Sequence, residues 1–411
     1  MKILAVALAE EEQRFVKGYP PKGAWLFLTP NLEISRLAAL CTEDEFIYLD
    51  ERIAEIKPGG EFDLAVILVN FGQGISARLV AEKLAQINPQ VVLFGPQVTA
   101  WGTNLPEWVS HAVIGDITNV WDEIRADSAK RSLKPLYKSP PQPRYIPLKT
   151  GLGNPYLMNT KYQAMQFIRG CACPFQFRHL CPQYLYYGNS MLHRKKEEIL
   201  GELLSLPGKH IQLLDEDIAR FPDYYYEIFS LLWNYPRYWT VQAGEEIFNH
   251  PRLIWLLAKA GTKIIFLNDT FLTPYLKPAL EDAKVVKWLY RRVKSLQTQR
   301  MLVGAKLNLS IFNQDFALIA DILCRIDLDL LEIRFTQPGP DGRETIVPLT
   351  YRPNLQPDSP LWIKSRFYAI DTLLDRFIRR PRRVGFHSTI WFLIPYSLAY
   401  RQNFLEGVAY P

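Results

Sequence analysis

The feature that most constrains the fold is an alternation running from the N-terminus to about residue 345, in which short apolar runs are followed by stretches with helical spacing. ILAVAL, DEFIYLD, FDLAVILVN and QVVLFG are short, continuous and apolar, the pattern of parallel strands buried on both faces. Between them ISARLVAEKLAQI repeats its apolar residues at helical spacing; HAVIGD then supplies another strand and TNVWDEIRAD a helix. Residues 1–127 therefore read as a doubly wound, Rossmann-like α/β domain, a class that binds ligands beyond the carboxyl ends of its strands.

Residues 128–160, including KRSLKPLYKSPPQPRYIPLKTGLGNP, are rich in Pro, Lys and Gly and read as an extended linker. The alternation resumes with AMQFIRG, KKEEILGELLSL, IQLLDED, DYYYEIFSLLWNY, YWTVQAG, LIWLLAKAG and KIIFLND. A helix from about Pro278 to Gln297 follows, then VGAKLNLSI, FALIADILCRI and LLEIRFTQ. Repeated β-then-α units over residues 161–345 predict a partial or full (β/α) barrel, and residues 346–411 an irregular and then helical C-terminal extension.

At 411 residues the chain can bury a large core, and 48% hydrophobic with 22% charged residues is an ordinary globular composition. Net charge is +6, spread thinly except for Arg376, Arg379, Arg380, Arg382 and Arg383. That run suits phosphates, a carboxylated substrate, peripheral contact with an anionic membrane surface, or plain solvation; with no stacking platform it does not argue for nucleic acid. MKILAVALAEEEQRF has no basic n-region or cleavage site, and no apolar stretch reaches about 20 residues, so neither a secretory signal nor a spanning helix is expected. A cytoplasmic home is the expectation.

Three of the five cysteines, Cys171, Cys173 and Cys181, fall in IRGCACPFQFRHLCPQYLYYG directly after a predicted strand. In a reducing compartment such a cluster points to metal or redox chemistry. Three thiolates on one loop can hold three irons of a [4Fe–4S] cluster.

The Arg-Gly-Cys opening, with Cys181-Pro182-Gln183-Tyr184 closing and Gly188 beyond, resembles the cluster loop of the cobalamin-binding radical S-adenosylmethionine (SAM) family. The family spacing is CxxxCxxC; here the second and third positions fall on Phe175 and Arg178, leaving CxC, seven residues, then Cys. LLDEDIARF, with Asp215, Glu216 and Asp217, is similar to the end of that family's second barrel strand. IFLND is similar to its "IGxE" strand, with Leu267 for the Gly and Asp269 for the Glu. LEIRFTQPGPDGRET is similar to a later strand end. In the first domain VVLFGPQVTAWGTNLPEWVSHAVIGD resembles half of a cobalamin-binding domain, with Gly95-Pro96-Gln97 and Gly115-Asp116 in place of its Gly-Gly and Gly-Glu. FGQGISARLVAEKL takes the place of the helix start that approaches the nucleotide tail. No Asp-x-His-x-x-Gly is present, so no lower histidine ligand to cobalt is implied.

The resemblance implies a cobalamin-dependent radical SAM enzyme, a methyltransferase acting on an unactivated carbon of an apolar, tetrapyrrole- or lipid-like small molecule. It implies a [4Fe–4S] cluster held by Cys171, Cys173 and Cys181, SAM chelated at the open iron, and an electron donor such as flavodoxin or ferredoxin. Cofactor contacts are implied at Gly72, Ser76, Gly95, Pro96, Gln97, Gly115 and Asp116 in residues 1–127. In the barrel they are implied at Asp215, Gln242 and Asp269. The alternative is a non-catalytic or reassigned member that keeps the shell, with or without cobalamin, and lacks a standard cluster.

Overall fold

The computed structural model describes residues 1–9, 31–51, 61–146, 162–170, 181–312, 314–338, 344–347 and 356–405. The chain forms two compact units, Met1–Pro207 and Gly208–Pro411.

The first unit is built on β1 (Lys2–Ala7), α1 (Leu32–Ala39), β2 (Glu45–Asp50), β3 (Leu64–Leu68), α2 (Gly74–Ala85) and β4 (Val91–Phe94). It continues with α3 (Pro96–Trp101), β5 (Ala112–Ile114), α4 (Trp121–Ala129) and β6 (Leu136–Lys138). The strands make one sheet in the order β2-β1-β3-β4-β5-β6, every pair parallel. Alternate side chains face opposite layers: Ile3, Leu64, Val66 and Val92 pack with Ile34, Leu37, Trp121 and Ile124. Leu4, Ala65, Ile67 and Leu93 pack with Ala77, Val80 and Leu84. Strands covered on both faces explain the unbroken apolar runs. One difference from the sequence reading lies in the supposed linker, where Leu136–Lys138 is a sixth strand paired with β5. Tyr137 is buried there, its hydroxyl donating to Asp127 at 3.0 Å.

The same unit ends with β7 (Tyr162–Met165), β8 (Ile168–Gly170), α5 (Pro182–Tyr187), β9 (Met191–His193) and α6 (Lys196–Ser205). AMQFIRG is thus two strands rather than one; the second pairs antiparallel with β9.

The second unit comprises β10 (His210–Leu213), α7 (Pro222–Leu232), β11 (Tyr238–Ala243), α8 (Pro251–Lys259), β12 (Thr262–Leu267), α9 (Asp269–Glu281) and α10 (Ala283–Gln297). β13 (Leu302–Ser310), α11 (Phe316–Arg325), β14 (Leu330–Pro338) and β15 (Glu344–Val347) follow. The sheet runs β15-β14-β13-β12-β11-β10, parallel except at β15, in the half-barrel arrangement that alternating β and α elements predict. The helix expected from Pro278 begins earlier, at Asp269, where the Asn268 side chain caps it, and breaks at Asp282. Pro274 and Pro278 lie inside it, a case of buried Phe271, Leu272, Leu276 and Ala279 overriding local preference.

The C-terminal extension folds as α12 (Trp362–Phe367), α13 (Ile370–Arg379), α14 (Pro381–Val384), α15 (Phe386–Ser388), a π-helical turn at Thr389–Leu393 and α16 (Ile394–Leu405). Val384, Phe392 and Leu393 pack on Ile264, Phe266, Leu302 and Leu330, and Phe392 stacks on His210. His210, Leu302 and Leu330 are the first residues of their strands, so the extension covers that end of the sheet, and polar residues follow the carboxyl ends. No helix among the described residues is long and apolar enough to cross a membrane. The basic run is also less exposed than it reads: Arg376 and Arg380 are buried, and Arg379 and Arg383 pair with Asp375 and Asp327.

Candidate functional site

In the first unit the strand order reverses between β1 and β3, which opens a crevice at their carboxyl ends. The loops there are laced together. The Gln73 side chain donates to the Leu8 carbonyl at 3.0 Å and accepts from the Asn70 N–H at 2.8 Å. The Gly72 N–H donates to Gln97 Oε1 at 3.2 Å, joining the loop after β3 to that after β4. Gly72 has φ +76° with open space where a Cβ would point, so this loop leaves room for a ligand. Gly95, by contrast, lies against the Val69 backbone, with Pro96 at the first position of α3. Ser76 is fully buried in the first turn of α2. Gly115, after β5, donates its N–H to Thr99 Oγ1 at 2.9 Å. Gly72, Gly95, Pro96, Gln97 and Gly115 thus all follow carboxyl strand ends of the first sheet.

Asp116 departs from that reading. Its Oδ1 accepts from the Thr118 N–H at 3.0 Å and the Thr118 hydroxyl at 2.7 Å. Its Oδ2 accepts from Arg169 Nη2 and from the Tyr187 hydroxyl, both at 2.5 Å. A carboxylate offers about four acceptor positions, and all are taken inside the protein, so the expected side-chain contact with a cofactor is replaced by an internal ion pair. Burial works to raise the Asp116 carboxyl, but Arg169, Tyr187 and Thr118 outweigh it and hold it below the usual carboxylate range. Burial and then Asp116 push the Tyr187 phenol well up, keeping it a donor. Arg36 donates to Gln166 Oε1 and Arg194 Nη1 to the Gln166 carbonyl, fastening the bend between β7 and β8.

Of the three cysteines, Cys181 immediately precedes α5 and is half-buried. Cys171 and Cys173 lie outside the described residues. Among the described residues no group of three or more His, Cys, Asp and Glu is placed to hold a metal ion.

In the second unit the carboxyl strand ends form a polar rim. Asp215, after β10, is buried and accepts from the Tyr225 hydroxyl at 2.7 Å. Asp217 accepts from the Gly244 N–H at 2.7 Å, linking the β10 and β11 ends. A Cβ on Gly244 would meet Asp217 Oδ2 and Thr270 Oγ1, so glycine is what lets these loops meet. Asp269 accepts from Asn308 Nδ2 at 2.7 Å, linking the ends of β12 and β13. Burial raises the Asp217 and Asp269 carboxyls. Gln242 is half-buried on β11 beside them. Asp215, Gln242 and Asp269, named from the sequence as cofactor contacts, stand at carboxyl strand ends; Asn308 and Thr270, which no motif marks, stand there with them.

The chain resembles several solved structures in fold. A radical SAM methyltransferase, TsrM from Kitasatospora setae with cobalamin and a [4Fe–4S] cluster bound, matches with a TM-score of 0.60 at 13% identity, over 82% of this chain and 75% of that one. The two chains share a fold. TsrM with tryptophan substrate and the SAM analogue aza-SAM matches at 0.58 and 13%, over 82% and 73% of the two chains. The cobalamin-dependent SAM radical enzyme OxsB, with aqua-cobalamin bound, matches at 0.52 and 12%, over 91% of this chain and 56% of that one. This chain therefore spans little more than half the OxsB chain. No protein-family model and no curated protein matches the sequence. The Gly72–Gln97 contact and the Asp269–Asn308 contact are polar edges at carboxyl strand ends of the first and second units respectively.

Proposed function

We propose that this chain is a cobalamin-dependent radical SAM methyltransferase acting on an unactivated carbon of an apolar small molecule. The observation that carries the reading is a fold shared with a methyltransferase that holds cobalamin and a [4Fe–4S] cluster, in a chain whose cysteines cluster directly after β8. Cys171, Cys173 and Cys181 would hold the cluster, which supplies the electron for reductive cleavage of SAM. In the second unit Gln242, Asp269 and Asn308 would offer one amide and one carboxylate–amide pair to the polar parts of SAM. Gly72 and Gln97 would edge a cobalamin crevice, with Ser76 buried behind them, and Asp215, pinned by Tyr225, keeps the β10 end in place. The electron would come from a flavodoxin- or ferredoxin-like donor.

The test is anaerobic reconstitution of the full chain with iron and sulfide. The expected result is about four irons per chain, lost when Cys171, Cys173 or Cys181 is changed to Ala. A colourless protein with iron at background would sink the cluster and favour the reading in which only the shell, with or without cobalamin, survives. Hydroxocobalamin binding, measured separately by absorbance, tells those two forms of the shell apart.

A further inference from the structure

The segment between Gly170 and Cys181 has two flanks, and both converge on one carboxylate. On the upstream side Arg169 is nearly fully buried; its Nη2 donates to Asp116 and its Nη1 to the Arg144 carbonyl at 2.6 Å. Downstream, Tyr187 at the end of α5 donates to the same Asp116 oxygen. The guanidinium of Arg169 also lies 5.4 Å from the Tyr187 ring. The flanks are tied to each other as well, since the Gly170 N–H donates to Gln183 Oε1 at 3.1 Å. Asp116 itself is aimed by Thr118 and stands at the end of β5, one of the sheet's own strands. Arg169 and Tyr187 come to it across 53 and 71 residues of sequence.

We propose that Asp116 is the positioning residue of the cysteine segment, a single carboxylate on the Rossmann-like sheet that clamps both of its flanks. A carboxylate is needed because one oxygen must accept from a guanidinium and a phenol together. An asparagine would turn an N–H toward those donors in one orientation or lose the Thr118 contacts in the other. The inference rests on the proposed function for what the segment binds, but not for the clamp itself.

The experiment uses the full chain with Asp116→Asn, Tyr187→Phe and, as a control, Asp329→Asn, which breaks a buried ion pair in the second unit. Limited proteolysis of the metal-free protein is mapped by mass spectrometry, and iron is counted after anaerobic reconstitution. With Asp116→Asn, cleavage within 171–180 should rise roughly tenfold over cleavage elsewhere, because local opening is set by the ties that hold a segment. Iron retention should fall to less than about half. Tyr187→Phe should shift both in the same direction by less, and Asp329→Asn should leave 171–180 cleavage unchanged relative to other sites. Unchanged cleavage in Asp116→Asn, or an acceleration uniform along the chain, would overturn the clamp. If Asp116→Asn fails to fold, Tyr187→Phe decides. If the wild-type chain takes up no iron, the functional reading falls while the proteolysis still decides the clamp.

Discussion

Changing Arg380 to Ala is expected to destabilise the second unit by about 3–5 kcal/mol, the cost of leaving a buried charge without its partner. Arg380 is 1% exposed and forks onto two aspartates. Nη1 and Nη2 each reach an oxygen of Asp327 at 2.9 Å, and Nε reaches Asp329. Asp329 is fully buried and also accepts from the Val303 N–H at 2.8 Å and from Gln297 at 3.1 Å. Removing the guanidinium strands that carboxylate beneath β13 and frees α13 from the turn before β14. Lysine would restore charge but not the fork, so Arg380→Lys should recover only part of the loss. Arg379 makes the comparison, because its i,i+4 pair with Asp375 is exposed and Arg379→Ala should cost no more than about 0.5 kcal/mol. Urea midpoints for the three variants check this; equal shifts for positions 379 and 380 would refute it.

The same cluster sets a pH dependence. Burial works to raise the Asp327 carboxyl, but the hydrogen bonds and charge of Arg380, with Arg383, outweigh it and lower it. A carboxyl lowered on folding contributes stability that is fully present above its unfolded value, about 3.9, and is lost as pH falls through the lower folded value.

Why Arg380 escaped the sequence reading is a physical matter. RFIRRPRRVGFH gives no hint of which arginines meet aspartates some 50 residues earlier, and a basic run is solvated more often than not. Asp116 hid for the same reason: a motif position suggested a cofactor, whereas its partners Arg169 and Tyr187 are reached only by folding. The sheets, in contrast, were readable because strands covered on both faces must be apolar throughout, as LAVIL at 64–68 and VVLF at 91–94 are. Leu136–Lys138 defeated that logic, being three residues long amid prolines and lysines. The start of α9 defeated it too, since Pro278 read as the first residue of a helix that begins at Asp269. At the second rim, the acids at strand ends were legible as polar interruptions, but the amide of Asn308 that meets Asp269 was not, because it lies on the neighbouring strand.

Gly95→Ala is the second large effect expected, and it separates two reasons a glycine can occupy a ligand-facing motif. Gly95 has φ +121° and ψ 179°, a region open essentially to glycine alone, at a cost on the order of 1–3 kcal/mol for other residues. An added Cβ would also stand 2.6 Å from the Val69 carbonyl oxygen and 2.9 Å from its N–H nitrogen, backbone atoms at the end of β3 that cannot step aside cheaply. Strain and overlap together should remove about 3 kcal/mol or more from the first unit, with no cofactor involved. Gly72→Ala is the counterpart. Its φ of +76° costs about 1–2 kcal/mol for alanine, but the new methyl meets nothing within 4 Å. That variant should fold with a modest loss and carry its main effect in hydroxocobalamin affinity, the methyl intruding where the crevice is open. If Gly95→Ala unfolds at the wild-type denaturant midpoint, the close approach of β3 to the β4 loop is not what requires glycine there. Its place in the sequence would then have to be explained by a ligand after all.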